Sequence, residues 1–257
     1  MNSLAIIPSR FESTRLPGKP LLEIDGKSLI QRVYEQVQKS KIDDIIVATD
    51  DQRIFEHVLN FGGNAVMTSK QLINGTERVI EAADKVFEED DEYDVIINVQ
   101  GDEPLIDPED INLLIDIFEE EECDIATLAT QISKSEELHS EHVVKVVLSE
   151  FEEEAADALY FSRTAIPFQR GIDPSQWLKH HEYYKHIGLY GFSPESLEAI
   201  KSLGESSLER AEKLEQLRWL ENHFIISVKI TDNDSVGVDT QEDLEYVEKL
   251  LKSTSSE

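Results

Sequence analysis

Apolar positions along this chain fall into two alternating rhythms. Leu4-Ala5-Ile6-Ile7 is an unbroken apolar run that Pro8 ends, which reads as a short buried strand. The rhythm then changes: Leu29, Ile30, Val33 and Val37 share one side of a helix predicted over residues 28–39. Ile45-Ile46-Val47-Ala48-Thr49 gives a second buried strand, and Asp50-Asp51 stands at the start of a helix through Ile54 to Leu59. Gly62-Gly63 leads to the short strand Ala65-Val66-Met67, and a turn at Asn74-Gly75-Thr76-Glu77-Arg78 opens the next helix. Val95-Ile96-Ile97-Asn98-Val99 is the expected central strand, with a turn after it and a helix starting near Pro108. Such alternation predicts an α/β protein, a sheet with helices on its faces.

The second half differs in texture. Residues 143–148, 158–161 and 186–192 read as strands, the last two separated by a long polar segment over 163–184. A substrate cap or dimerisation arm is expected there, around residues 163–192. Ala211, Leu214, Leu217 and Leu220 predict one helix over 208–221, followed by a strand over 225–230. The turn Val236-Gly237-Val238-Asp239-Thr240 introduces a last helix through Leu244, Val247 and Leu251, capped by Thr240 or Asp239 with Asp243 in its first turn. One domain over residues 1–252 and a frayed tail over 253–257 complete the expected organisation.

A chain of 257 residues with 40% apolar content can bury a large core. No apolar run approaches membrane-spanning length and no charged leader with a small-residue cleavage site opens the chain, so a cytoplasmic protein without membrane insertion is expected. A single cysteine, Cys123, excludes an internal disulfide and a cysteine-rich zinc site. The 54 acidic residues against 24 Lys and Arg leave a net charge of −30, which argues against general nucleic-acid binding. The acid runs at 88–92, 119–122 and 150–154 read as solvated surface.

Against that acidic background, Arg10, Arg15 and Lys19 crowd the first loop. The loop lies beyond the carboxyl end of a strand, where open α/β sheets bind ligands, and a polyphosphate would account for the charge. Arginine forks suit paired phosphate oxygens and a lysine suits a point of accumulating charge. The bland alternative is a solvated surface loop, since Pro17-Gly18 is an ordinary turn signal. Neither G-x-G-x-x-G nor G-x-x-x-x-G-K-[ST] is present, so side chains must do much of any phosphate binding.

The second informative stretch is Asn98-Val99-Gln100-Gly101-Asp102-Glu103-Pro104. A strand ending in Gly-Asp puts a carboxylate at its tip, and beside a triphosphate that carboxylate would hold Mg²⁺. Alternatively Gly101-Asp102 is only a turn. Asp239 is open to two readings as well, a helix cap or a second carboxylate sharing metal ions with Asp102.

Pro8-Ser9-Arg10, Thr14-Arg15-Leu16-Pro17-Gly18-Lys19-Pro20, Ala48-Thr49-Asp50, Gly75-Thr76-Glu77-Arg78, Asn98 through Pro104, Tyr160-Phe161-Ser162-Arg163, His186-Ile187-Gly188-Leu189-Tyr190, Leu214-Glu215-Gln216-Leu217-Arg218 and Gly237-Val238-Asp239-Thr240 run in order along nearly the whole chain. Together they resemble the 3-deoxy-manno-octulosonate cytidylyltransferase (CMP-Kdo synthetase) family. The resemblance implies a Rossmann-like nucleotide-diphosphosugar transferase fold, a predominantly parallel mixed sheet with helices on both faces, and a cytoplasmic homodimer. It implies a Mg²⁺-dependent reaction of CTP with Kdo, giving CMP-Kdo and pyrophosphate for lipopolysaccharide biosynthesis.

The same resemblance implies the site. Arg10, Arg15 and Lys19 would handle the triphosphate, and Arg10, Lys19, Asp102 and Asp239 would be the catalytic residues. Asn74, Thr76, Arg78 and Gln100 would help hold the nucleotide, Asp102 and Asp239 would bind magnesium, and Arg163, His186, Tyr190, Glu215 and Gln216 would take the sugar acid. From the residues alone, Glu215 and Gln216 pass for the wet side of a helix and His186 and Tyr190 for packing. Asn74 replaces an expected serine, Ser9 a common alanine, and Glu103 favours Kdo over its 8-amino analogue. Rival readings are a cytidylyltransferase for 8-amino-Kdo or another keto sugar acid such as sialate, and a non-catalytic nucleotide-binding protein.

Overall fold

The computed structural model describes the chain except residues 13–14, 73, 88–92, 121–122, 152–153, 235 and 255–257; the 88–92 acid run, parts of the other two and the end of the expected tail therefore lie outside the described residues. The chain gathers into two compact units, Met1–Ile115 with Ser235–Glu257, and Asp116–Asp234.

In the first unit, β1 (Ser3–Ser9), β4 (Asp44–Thr49), β5 (Ala65–Met67) and β6 (Val95–Asn98) pair in the order β5-β4-β1-β6, all parallel. β1 lies between two neighbours, which is why Leu4 to Ile7 are all apolar and fully buried. Pro8 does not end the strand: it pairs in register with Ala48 and β1 runs on to Ser9, since a proline near a strand's end removes only one ladder donor. Between β1 and β4 the chain makes a small hairpin, β2 (Glu23–Ile24) and β3 (Lys27–Ser28), unforeseen from periodicity. Asp25 and Gly26 turn it with φ of 47° and 75°, the left-handed pair that two-residue hairpins require.

Helices α1 (Leu29–Val37), α2 (Gln52–Asn60) and α3 (Gly75–Phe87) follow strands as expected, and α4 (Pro108–Glu120) follows the turn after β6. Side chains fix their starts: Ser28 Oγ accepts from Gln31 N at 3.2 Å, Asp51 Oδ1 from Arg53 N at 2.9 Å, and Asn74 Oδ1 from Glu77 N at 2.8 Å. The last helix, α10 (Gln241–Thr254), carries regular structure two residues into the stretch expected to fray. Thr240 caps it, accepting from Asp243 N at 3.2 Å, while Asp243 Oδ2 accepts from the N–H groups of Asp239 and Thr240 at 3.0 and 2.9 Å.

The second unit has a mixed sheet in the order β10-β7-β11-β9-β8. Its strands are β7 (Ile125–Gln131), β8 (Lys145–Leu148), β9 (Ala155–Ser162), β10 (Tyr184–Phe192) and β11 (Ile226–Ile230). β11 is parallel to β7 and the other pairs are antiparallel; β8 also pairs with the start of β10, so the pairing returns to its first strand. β7 was not legible as a strand, because its alanines and threonines dilute the apolar run. Two short helices were missed too, α5 (Ser135–His139) and α7 (Pro194–Lys201).

The polar segment over 163–184 is more than a loop. It holds a 3₁₀ turn at Pro174–Gln176 and α6 (Trp177–His180), and it buries Trp177 and Tyr183 against Ile132 and Leu138. The single helix expected over 208–221 is two, α8 (Ser207–Glu212) and α9 (Gln216–Glu221). Lys213 separates them with φ 55° and ψ 46°, a left-handed cap that apolar spacing does not register.

Candidate active site

The strand tips of the first unit form a cleft of about 410 Å³ lined by Arg10, Arg15, Lys19, Asn74, Gln100, Asp102 and Asp239, among others. Lys19 holds its centre. Its Nζ donates to Asp102 Oδ2 at 2.7 Å, to the Val238 carbonyl at 2.9 Å and to Asp239 Oδ1 at 3.1 Å. Arg15 Nη1 reaches the other oxygen of Asp239 at 3.2 Å. The cationic loop and the two distant aspartates thus meet at one point, as the sequence reading requires.

Packing explains how residues so far apart arrive there. Val238 is fully buried in a cluster with Ile24, Leu29 and Val247, and Leu16 of the basic loop packs against the same cluster. Val238 N donates to the Asp102 carbonyl at 2.9 Å, joining the two aspartate turns through the backbone. Because Thr240 caps α10, the Asp239 carboxylate is released for Lys19 and Arg15. At Gly101 the backbone passes so close to β1 that an added Cβ would lie 2.7 Å from the Pro8 carbonyl oxygen, so a side chain there must push the strands apart.

The nucleotide-side candidates divide. Arg10, exposed, and Gln100 line the cleft. Arg78 also lines it, but is 3% exposed and committed to Asp50, Nη2 to Oδ2 3.0 Å, and to Thr68. Asn74 spends its side-chain carbonyl on the cap of α3, and Thr76 is buried in that helix's first turn, outside the cleft lining. Ser9 Oγ, at the tip of β1, is buried without a hydrogen-bond partner among the described residues.

The other candidates lie in the second unit. The His186 ring lies 5.2 Å from that of Tyr190 and 5.1 Å from that of Phe161, and its Nε2 is 3.0 Å from Thr127 Oγ1. Desolvation of the imidazole pushes its pKa down to about 3, so the ring is neutral at ordinary pH. Burial holds the Tyr190 phenol well above its ordinary value, and the nearby Glu215 carboxylate adds to the effect. Tyr190 packs edge-on against Trp219 at 5.0 Å; the Tyr190 hydroxyl and Trp219 Nε1 are both buried without partners among the described residues. Gln216, at the start of α9, is buried beside the half-buried Glu215. Glu215 lies near enough to act on the Tyr190 phenol, and the helix break at Lys213 takes both residues off a continuous wet face. Arg163 donates from Nε to the Glu212 carbonyl at 2.8 Å and from Nη1 to the Glu141 carbonyl at 3.1 Å.

Four residues that touch these candidates escaped the sequence reading: Thr127 at His186, Trp219 at Tyr190, and Lys145 and Glu212 at Arg163. Only Lys145 left a trace, a lone cation inside the apolar run over 143–148.

A parallel sheet with cations and carboxylates gathered at its tips defines an α/β protein of the kind that binds ligands at the ends of its strands. The chain belongs to the cytidylyltransferase family, whose model matches residues 4–230, and within it to the 3-deoxy-manno-octulosonate cytidylyltransferases. The enzyme of that name from Bacteroides thetaiotaomicron is 48% identical over 99% of this chain and 100% of its own length. That of Thermodesulfovibrio yellowstonii is 46% identical over 99% and 100%. Among solved structures, CMP:2-keto-3-deoxy-manno-octonic acid synthetase complexed with CTP superposes with a TM-score of 0.89 at 37% identity, covering 99% of this chain and 100% of the other. Apo UDP-glucose pyrophosphorylase shares the fold, with a TM-score of 0.70 at 13% identity over 99% of this chain and 100% of the other.

Proposed function

We propose that this protein transfers CMP from CTP to 3-deoxy-D-manno-octulosonate, giving CMP-Kdo and pyrophosphate for lipopolysaccharide biosynthesis. The observation that carries the proposal is the junction of Lys19, Asp102 and Asp239 in a cleft lined by Arg10 and Arg15. Triphosphate binding and in-line displacement at the α-phosphorus need such a pairing of cations with acidic oxygens. Full-length similarity to enzymes named for this reaction, and to a synthetase solved with CTP, supports the choice of nucleotide and sugar.

The donors present fit Mg²⁺. Oxygens of Asp102, Val238 and Asp239 already surround one positive charge, the Lys19 ammonium, and this ion takes few protein oxygens beside phosphate and water. Among the described residues no group of three or more His, Cys, Asp or Glu gathers, so the two aspartates would hold it together with the triphosphate. When bound, Mg²⁺ neutralises charge on the phosphate oxygens.

Arg10 and Arg15 would then grip the polyphosphate through their forks, and Lys19 would turn from the carboxylates to the oxygens where charge accumulates. The anomeric 2-hydroxyl of the sugar forms the new bond to the α-phosphorus as the bond to pyrophosphate breaks, and the hydroxyl proton leaves to solvent. Arg163 would orient the sugar carboxylate, with His186 as a neutral hydrogen-bonding ring beside Tyr190, Glu215 and Gln216.

A homodimer working in the cytoplasm belongs to the same proposal. Phe151, Leu159 and Phe168 of the second unit expose apolar surface that a partner would cover, and no helix among the described residues is long and apolar enough to cross a membrane. Pyrophosphate release from CTP, measured with Kdo, 8-amino-Kdo and sialate, with and without Mg²⁺, tests the activity. Kdo with Mg²⁺ is expected to give the highest turnover. Nucleotide binding without pyrophosphate from any sugar acid would leave a non-catalytic binding protein.

A further inference from the structure

Lys145 has no accessible surface, although it carries a charged ammonium inside the apolar stretch of β8. A cation is costly to bury without compensation, and an apolar residue would pack there without that cost. Its Nζ donates to three main-chain carbonyls: Ser140 at 2.8 Å, Val143 at 2.6 Å and Arg163 at 2.5 Å. Among the described residues no carboxylate lies within ion-pair distance of it, so all three donors serve the backbone. Burial pushes its pKa down and Arg163 adds to this, while Glu212 opposes it.

The acceptors are not scattered. Ser140 and Val143 belong to the loop before β8, and Arg163 follows the last residue of β9, the strand that pairs with β8. Arg163 closes the same corner from its other end: Nη1 donates to the Glu141 carbonyl at 3.1 Å, Nε to the Glu212 carbonyl at 2.8 Å and Nη2 to the Lys213 carbonyl at 3.4 Å. The carboxylate of Glu212 accepts from Arg163 N at 2.9 Å and Ser162 Oγ at 2.7 Å. Two cations therefore share a corner with one carboxylate, a positive excess in a chain of net charge −30.

We infer that Lys145 is a positioning residue for recognition of the anionic sugar: it clamps the Arg163 carbonyl to the 140–143 loop and so fixes where the Arg163 guanidinium leaves β9. This rests on the assignment of Arg163 to the sugar carboxylate in the proposed reaction. Small displacements of an orienting group weaken a single substrate's recognition, whereas general loosening of the fold affects both substrates.

The test compares wild type with Lys145→Met and Lys145→Arg in the pyrophosphate-release assay, with thermal unfolding alongside. In Lys145→Met the KM for Kdo is expected to rise about tenfold to hundredfold while the KM for CTP changes less than about twofold. Lys145→Arg keeps the charge but replaces one ammonium by a planar fork, so its Kdo KM is expected to fall between the two. An unchanged Kdo KM in folded Lys145→Met, or equal rises for both substrates, overturns the inference. Loss of fold in Lys145→Met combined with a wild-type Kdo KM in Lys145→Arg overturns it too, because the residue is then structural only. Wild type that releases no pyrophosphate with any sugar acid overturns the reaction and this inference together, whereas an active wild type confines failure to Lys145.

Discussion

Lys19 Nζ lies 2.7 Å from Asp102 Oδ2 across 83 residues of sequence, with only 14% of the lysine side chain exposed. The pair does more than close a loop onto a strand tip. Because the same ammonium also reaches Asp239, it keeps two carboxylates close that would otherwise repel.

Lys19→Met should therefore make the free protein responsive to Mg²⁺. Without the ammonium, the facing carboxylates gain a net attraction for a divalent cation, and the melting temperature of the variant should rise more on Mg²⁺ addition than that of wild type. Saturation at about a hundred times the dissociation constant corresponds to roughly 2.7 kcal/mol. Differential scanning fluorimetry without nucleotide measures it, and equal shifts in the two proteins would count against the shared site.

Asp102→Asn should leave the fold intact and lower turnover by about 10²–10³-fold, the scale on which removal of one preorganised charge-stabilising group acts. Steady-state pyrophosphate release beside a thermal melt is the measurement. Near-normal rates in saturating Mg²⁺ would refute the role of this carboxylate.

Gly101→Ala should destabilise the protein by about 1–3 kcal/mol through overpacking against the Pro8 carbonyl. Gly204→Ala, where a Cβ meets nothing within 4 Å among the described residues, is the control. Denaturant unfolding distinguishes the two, and equal midpoints would remove the close-approach argument.

His186 predicts a pH signature. Its folded pKa is lowered to about 3, below the ordinary 6.5, so between those values the unfolded chain binds a proton that the folded chain does not. The associated stability is present above pH 6.5 and is lost as pH falls, at up to about 1.4 kcal/mol per pH unit. His186→Gln should flatten that part of the stability profile, measured by urea unfolding between pH 4 and 7. An unchanged slope would show that the ring is protonated in the fold.

How far the chain could be read differs between its halves. In the first unit β1 lies between β4 and β6, and its buried Leu4 to Ile7 form a continuous apolar run, as do the buried Val95 to Ile97 of β6, so both strands announce themselves. In the second unit threonines interrupt the apolar run of β7, and the hydroxyl of one has local work: Thr127 Oγ1 donates toward the Ile187 and Leu189 carbonyls where the β10 register shifts. A pattern built on hydrophobicity passes over such a strand.

Sequence by itself determined the α/β alternation, the cationic loop and the aspartates at the ends of strands and turns, because these follow from local periodicity, turn chemistry and charge. Only the tertiary structure decided that Thr240 and not Asp239 caps α10, that Lys213 breaks a helix in two and that Lys145 is buried beneath Arg163. Asp239 is drawn to Lys19 from the far end of the chain, Lys145 is held in part by Arg163 just past the end of the neighbouring strand, and the helix break is a single backbone torsion; none of these leaves a periodic trace in the order of residues.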